Sequence, residues 1–376
     1  MPNLPPNGTF VTRVWHPGLG PCLALHRDGN LVDITTRTTP TMRDLLERDD
    51  LAGYLATVQG PLIAPLADLD RHEQGPASLH LLSPADLQAI KACGVTFARS
   101  MIERVIEERA AGDASRADAI RARVAGVIGD SLRNLRPGSP EAATVKRLLQ
   151  VEGLWSQYLE VGIGPDAEVF TKAPPMASVG HGASVGLHPI SKWNNPEPEV
   201  VLAVDSRAQI KGATLGNDVN LRDVEGRSAL LLGKAKDNNA AAAIGPFIRI
   251  FDDTFGIDDV RKLDLTLTVE GEDGFRLIGR SSMSEISRDP LDLVAQTTGA
   301  HQYPDGFMLY CGTMFAPVQD RDGPGQGFTH HLGDRVTIAA AQLGALTNTV
   351  RLATEAPPWT FGTMALMRNL AGRGLL

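Results

Sequence analysis

Residues 194–204 read NNPEPEVVLAV. Glu197 and Glu199 stand two apart, each preceded by a proline, and a run of valine, leucine and alanine follows. In an extended strand, residues i and i+2 point to one face with Cα atoms about 6.6 Å apart, so the two carboxylates share a side. The prolines suit an edge strand or a strand entry, because neither can donate to a ladder. The next strand-like stretch is IKGATLGND, residues 210–218. A hairpin centred between Ala208 and Gln209 sets Glu199 opposite Asp218, although the turn, DSRAQ, contains no Gly or Asn. Such a hairpin gathers three carboxylates at its open end. At a separation of about 4 Å and an effective dielectric near 20, each like-charge pair costs about 4 kcal/mol. Three such pairs rival the stability of a domain, so protons must be taken up or a divalent cation must sit among them. Oxygen-only ligands favour Mg²⁺, Mn²⁺ or Ca²⁺. The plainer reading is an exposed strand edge with solvated glutamates.

The rest of the chain frames that hairpin. Its 376 residues are 43% apolar and 21% charged, ordinary values for a soluble globular enzyme. The net charge of −8 argues against a nucleic-acid partner. Three cysteines, Cys22, Cys93 and Cys311, form no CxxC pair and point to a reducing compartment. MPNLPPNGTF has no basic stretch before an apolar core, and no run approaches the 18 apolar residues of a membrane span. The expectation is a cytoplasmic enzyme. A Pro- and Gly-rich stretch, GPLIAPLADLDRHEQGPAS, places a boundary near residue 75. Residues 1–75 then form a small N-terminal α/β domain, and residues 76–376 the catalytic domain. Within the latter, RSMIERVIEERAAGDASRADAIRARVAGVI has helical spacing and predicts a helical insertion near 99–150, its charges on a solvated face. VVLAVD, QIKGATLG, KLDLTLTVEG, FRLIGR and DRVTIAA read as strands, with Leu263, Leu265, Leu267 and Val269 on one face. GTMALMRNLAGRGLL predicts an amphipathic helix that closes the domain.

Three segments in succession, WNNPEPEVVLAV, GNDVNLRD and KAKDNNAAAAIGPF, resemble the fumarylacetoacetate hydrolase superfamily. Their spacing, 19 residues from Glu199 to Asp218, 18 more to Lys236 and ten more to Pro246, is that of the family. The resemblance covers roughly residues 80–350. It implies an α+β, mostly β, fold: a β-roll of mixed sheets with a smaller N-terminal domain and a helical insertion. It also implies that Glu197, Glu199 and Asp218 are the metal ligands and Lys236 the active-site lysine. A nearby cation should lower the Lys236 pKa and suit it to proton transfer. Gly312 and Thr313, in LYCGTMFAP, match a turn that holds the substrate carboxylate, although MFAP departs from the family's Gly-Val-Gly.

CGVTFARSMIE departs further. Where many hydrolases of the superfamily carry NYxxHxxE, this chain has Thr96, Phe97, Ser100 and Glu103. A serine cannot replace the imidazole that activates water, while Glu103 still offers an acid or base. Hydrolysis of a C–C bond in a 2,4-diketo acid is thereby disfavoured, and elimination of water is not. GLWSQYLEVGIGPDAEVFTK, LGNDVNLRDVEGRSALLL and MFAPVQDRDGPGQGFTHHLGDRV look like the superfamily's 2-keto-3-deoxypentonate dehydratases. That implies conversion of a 2-keto-3-deoxypentonate, xylonate or arabinonate type, to 2,5-dioxopentanoate with Mg²⁺, Mn²⁺ or Ca²⁺, in a homodimer or homotetramer. Lys236 and Glu103 are the expected catalytic residues. Thr313, Gly312, Ser100, Ser178, His181 and Lys172 are the expected substrate contacts. Arg222 and Asp223 are expected to pair behind Asp218, and His330 and His331, with no acidic neighbour at ligand spacing, to be loop residues. A binding protein that kept the fold and lost catalysis is a rival from another class; the intact carboxylates and lysine speak against it.

Overall fold

A computed structural model describes residues 4–69, 74–111, 113–117, 119–120, 135–151, 153 and 155–376; the side chains of residues 98–100 lie outside this description. The strands are β1 (Phe10–His16), β2 (Gly20–Arg27), β3 (Asn30–Asp33), β4 (Leu62–Pro65), β5 (His80–Leu82), β6 (Ala89–Gly94), β7 (Glu168–Ala173), β8 (Ser184–Leu187) and β9 (Asn194–Asn195). They continue with β10 (Pro198–Val204), β11 (Ile210–Asp218), β12 (Asn220–Leu221), β13 (Ala242–Ile250), β14 (Asp264–Glu270), β15 (Arg276–Ser282), β16 (Phe307–Tyr310), β17 (Arg335–Ala340) and β18 (Gly344–Leu352).

The large sheet runs β4-β3-β2-β1-β13-β11-β10-β16-β6-β7, with β5 paired to β1. A second sheet runs β15-β14-β17-β18-β8. Most pairs are antiparallel, but β16 with β6 and β18 with β8 are parallel, so both sheets are mixed. The expected mixed, mostly β architecture is the one observed. Leu265, Leu267 and Val269 of β14 bury one face against Val200, Leu202 and Val204 of β10. The intervening Val201 and Ala203 of β10 pack on the other side with Met42, Leu45 and Ile248. Burial on both faces is why this strand reads as an unbroken apolar run rather than an alternation.

β10 lies between β11 and β16, so it is interior and not an edge. Its prolines stand at the strand entry, Pro198 as the first residue. The hairpin forms, but its register differs from the expected one. Glu199 faces Gly216, and the Asp218 N–H donates to the Glu197 carbonyl at 3.1 Å. Asp218 therefore stands across from Glu197. The turn closes one residue early because Asp205 supplies what Gly or Asn would have supplied. Its carboxylate accepts the N–H groups of Arg207 and Gln209, each at 2.9 Å, and Ala208 takes a left-handed conformation with φ of 63°. A bulge between Ala203 and Val204 then sets the strands in register.

The helical insertion contains helices Ala98–Ala110, Pro140–Val151 and Gln157–Ile163. Met101, Val105 and Ile106 of the first pack on Leu149, Leu159 and Ile163 of the others. Most of the rest of the expected run, residues 121–134, lies outside the described residues. The solvated-face expectation fails at Arg104 and Glu107, which are buried among carboxylates and arginines. The C-terminal helix Thr363–Gly372 is amphipathic, with Leu366 and Leu370 buried. It seats on the β1–β2 hairpin: Asn369 donates to the Leu19 carbonyl at 2.8 Å, and Arg373 to the Pro21 carbonyl at 2.7 Å. Among the described residues, no helix is long and apolar enough to cross a membrane.

Candidate metal centre

Glu197, Glu199 and Asp218 are all buried and offer oxygens that lie within 4.8 Å of one another. Each is held differently. Glu199 accepts the Gly312 N–H at 2.7 Å and the Thr313 hydroxyl at 3.2 Å. Gly312 sits at φ of 108°, and a Cβ there would lie 2.0 Å from the Thr96 hydroxyl oxygen; only glycine brings this N–H to Glu199. Asp218 is paired to Lys172 at 2.7 Å through one oxygen and to Lys236 at 3.0 Å through the other. Glu197 is paired to Lys236 at 2.5 Å and, through its second oxygen, to Arg104.

These contacts pull the carboxyl groups apart in acidity. Burial first, then the charges of Asp218 and Glu197, push the Glu199 carboxyl well above the ordinary range. Burial acts the same way on Asp218, but Lys172 and Lys236 outweigh it and hold that carboxyl below the ordinary range. The fall expected for Lys236 is one that a bound cation would cause; the side chains by themselves act the other way. Burial lowers its pKa, yet the carboxylates of Asp218 and Glu197 outweigh burial and carry it well above an ordinary lysine. Lys172 has no such surplus, and burial lowers it.

A wider set of charges surrounds the triad. Arg104 pairs with Glu107 at 2.7 Å and Glu225 at 3.1 Å. Glu107 also meets Arg222 at 3.2 Å. Glu168 of β7 lines one cavity with Arg104, Glu197, Asp218, Glu225 and Lys236. Burial, then the Glu225 charge, raises the Glu168 carboxyl to about 7. A Cβ on Gly94 would lie 1.8 Å from a Glu168 oxygen, so the glycine is what admits this carboxylate. Among these described side chains there are six carboxylates, of residues 107, 168, 197, 199, 218 and 225, and four cations, of residues 104, 172, 222 and 236. Full ionisation leaves two negative charges in surplus. An oxygen-only donor set with that surplus fits a hard divalent cation.

The structure thus brings Glu197, Glu199, Asp218, Lys236, Lys172, Gly312 and Thr313 together. Glu103, Ser178 and His181 are placed elsewhere. The Glu103 side chain lines a separate groove with Ile102, Ile278, Phe315 and Val318. Ser178 bonds Ser83 at 2.7 Å, and the His181 ring accepts the Thr347 N–H at 3.1 Å. The side chain of Ser100 lies outside the described residues. Lys172 is fully buried, and besides Asp218 it donates to the carbonyls of Lys236 at 2.6 Å and Val219 at 3.2 Å. Its donors are spent on the protein, which makes it a prop for Asp218. Arg222 and Asp223 do not pair. Arg222 donates to Asn195 at 2.7 Å, and Asp223 accepts from Ser191 at 2.7 Å. His330 and His331 lie in a loop, as expected, and there meet carboxylates, His330 Asp334 at 3.0 Å and His331 Asp322 at 2.8 Å. Arg104, Glu168 and Glu225 were missed. For Glu168 a signal existed: Glu168, Phe170 and Lys172 alternate along one strand face.

The family model for the fumarylacetoacetate (FAA) hydrolase C-terminal domain matches residues 159–351, just over half of the chain. A probable 2-keto-3-deoxyxylonate dehydratase of Haloferax volcanii is 31% identical over 193 residues, 51% of this chain and 63% of that one. A 2-dehydro-3-deoxy-D-arabinonate dehydratase of Saccharolobus solfataricus is 30% identical over 184 residues, 49% of this chain and 58% of that one. The match thus spans less than two thirds of these relatives. Among solved structures, a 2-keto-3-deoxy-D-arabinonate dehydratase complexed with magnesium and 2,5-dioxopentanoate aligns with a TM-score of 0.63 at 20% identity, covering 91% of this chain and 99% of that one. A fumarylacetoacetate hydrolase from Exiguobacterium antarcticum aligns with a TM-score of 0.57 at 14% identity, covering 92% and 99%. At such identities the likeness is one of fold.

Proposed function

The chain belongs to the fumarylacetoacetate hydrolase family, and on that premise we propose that it is a metal-dependent dehydratase, a hydro-lyase, that converts a 2-keto-3-deoxypentonate to 2,5-dioxopentanoate. The observation that carries this reading is the buried set of three carboxylates, two of which, Glu197 and Asp218, line one cavity with Lys236 and Glu168. The names of the two curated relatives support the substrate class. Glu197, Glu199 and Asp218 would hold Mg²⁺ or a similar cation. When bound, it supplies Lewis acidity to the 2-keto acid, which makes the C3 protons removable.

The residues divide the remaining work. The Lys236 ammonium, kept charged by its carboxylates, steadies the negative charge that develops on the C2 oxygen. Thr313 lines the same cavity and would orient the substrate there, while its hydroxyl holds Glu199. Glu168 takes over the proton transfer expected of Glu103, because Glu103 is not in this cavity. As a carboxylate it accepts a C3 proton. It then gives that proton to the C4 hydroxyl, which leaves as water while the C3–C4 double bond forms. A proton shifts from C5 to C3, and the resulting enol becomes the C5 aldehyde. Among the described side chains of the helix Ala98–Ala110, the one that lines the cavity is Arg104, which supports elimination of water over C–C bond hydrolysis. The resemblance also leads us to propose a homodimer or homotetramer in the cytoplasm.

The decisive assay supplies both C4 epimers of a 2-keto-3-deoxypentonate with Mg²⁺ and, separately, with EDTA. 2,5-Dioxopentanoate is expected with Mg²⁺ alone. Pyruvate with glycolaldehyde, or turnover indifferent to EDTA, overturns the reading. Glu168→Gln is expected to lose about 10²- to 10⁴-fold in kcat while still binding Mn²⁺. In the wild type, kcat/KM should fall as pH drops and Glu168 takes a proton. The midpoint lies at or below about 7, since a bound cation can only draw it down. The residual activity of the glutamine variant should be flat across that range; a retained limb removes Glu168 from the role.

A further inference from the structure

We propose that Arg104 is a positioning residue: it fixes the orientation of the metal ligand Glu197 and holds Glu225 beside Lys236. This rests on the metal-dependent reading above. Arg104 is buried, yet it comes from the helical insertion and not from the sheets that carry the ligands. Its guanidinium meets three carboxylates from three separate parts of the chain. Glu107, one turn along the same helix, lies at 2.7 Å, Glu225 of the short helix Arg222–Glu225 at 3.1 Å, and Glu197 in direct contact. A planar fork of five donors fixes the directions of all three contacts, which the freely rotating point charge of a lysine does not.

The contacts close a ring. Arg222 donates to Asn195 at 2.7 Å and pairs with Glu107 at 3.2 Å; Glu107 pairs with Arg104, and Arg104 with Glu197, two residues beyond Asn195. Glu197 is thereby gripped at both carboxylate oxygens, by Arg104 at one and by Lys236 at the other. Free rotation of that ligand is removed before any ion arrives. Glu225, 4.0 Å from Lys236, is aimed at the same cavity by the second arm of the guanidinium.

Arg104→Lys keeps the charge and loses the fork, so it reads orientation and not electrostatics. We expect Mn²⁺ affinity, measured by calorimetry, to weaken by about 10- to 100-fold, with a broadened electron paramagnetic resonance signal from the bound ion. In Arg104→Ala, millimolar guanidinium should restore turnover and ammonium should not, an outcome that a purely structural arginine would not give. Should Arg104→Lys fail to fold, Glu107→Gln, which removes one brace of the guanidinium, is read in its place and should weaken Mn²⁺ binding severalfold. Wild-type Mn²⁺ affinity in the folded variant, or rescue by ammonium equal to that by guanidinium, overturns the proposal. Glu197→Ala distinguishes the two failures. If it still binds Mn²⁺, the metal reading is wrong; if it does not and Arg104→Lys does so normally, only the role of Arg104 is lost.

Discussion

Glu197→Ala should yield a folded protein that retains no Mn²⁺ on dialysis and turns over at least about 10³-fold more slowly than the wild type. A cation acting as Lewis acid contributes several kcal/mol to the barrier, and each 1.36 kcal/mol is tenfold in rate. Removing one of three carboxylates takes away a ligand and half of the charge surplus that draws the ion in. The fold should tolerate the change. The Lys236 ammonium keeps Asp218 at 3.0 Å, Arg104 keeps Glu107 and Glu225, and one source of like-charge repulsion is gone. The checks are metal content by atomic emission, melting by circular dichroism and product formation. Survival of both turnover and metal content refutes the centre altogether.

Lys236→Met should move two measurements in opposite directions. Turnover is expected to fall by about 10³- to 10⁴-fold, because the charge that steadies the developing enolate is lost. Mn²⁺ affinity is expected to rise, by about tenfold or more, because an ammonium 2.5 Å from Glu197 and 3.0 Å from Asp218 repels a cation placed among the same carboxylates. A lysine that merely stabilised the fold would lower both or neither. Calorimetric titration and a product assay on one preparation suffice. Weaker Mn²⁺ binding with full turnover contradicts the placement of this residue.

How far the sequence could be read follows the range of the interactions involved. β10 and β11 were legible because both the strand period and the hairpin are local, and the carboxylates stood out against apolar neighbours. The register was off by two residues because Asp205 closed the turn through its side chain, a local signal that a reading limited to Gly and Asn passes over. Arg104 and Glu107 were assigned to solvent because helical periodicity tells which arc is apolar, and not whether a polar arc meets water or buried carboxylates. Glu168 follows strand alternation with Phe170 and Lys172, but its neighbours Asp218 and Lys236 lie 50 and 68 residues further along the chain. The pull of two carboxylates on Lys236 depends on their distances, a purely tertiary quantity.

The strands on either side of the hairpin carry a consequence for anyone cutting this chain into parts. β13, which flanks β11, is itself completed by β1, and β16, which flanks β10, is completed by β6. Both completing strands lie before residue 100, outside the segment 159–351 that matches the family model. A recombinant fragment confined to that segment would bare two ladders of unpaired N–H and C=O groups, the template for edge-to-edge aggregation. The ligands all fall inside the segment, yet the scaffold that shields them is closed only by the amino-terminal hundred residues.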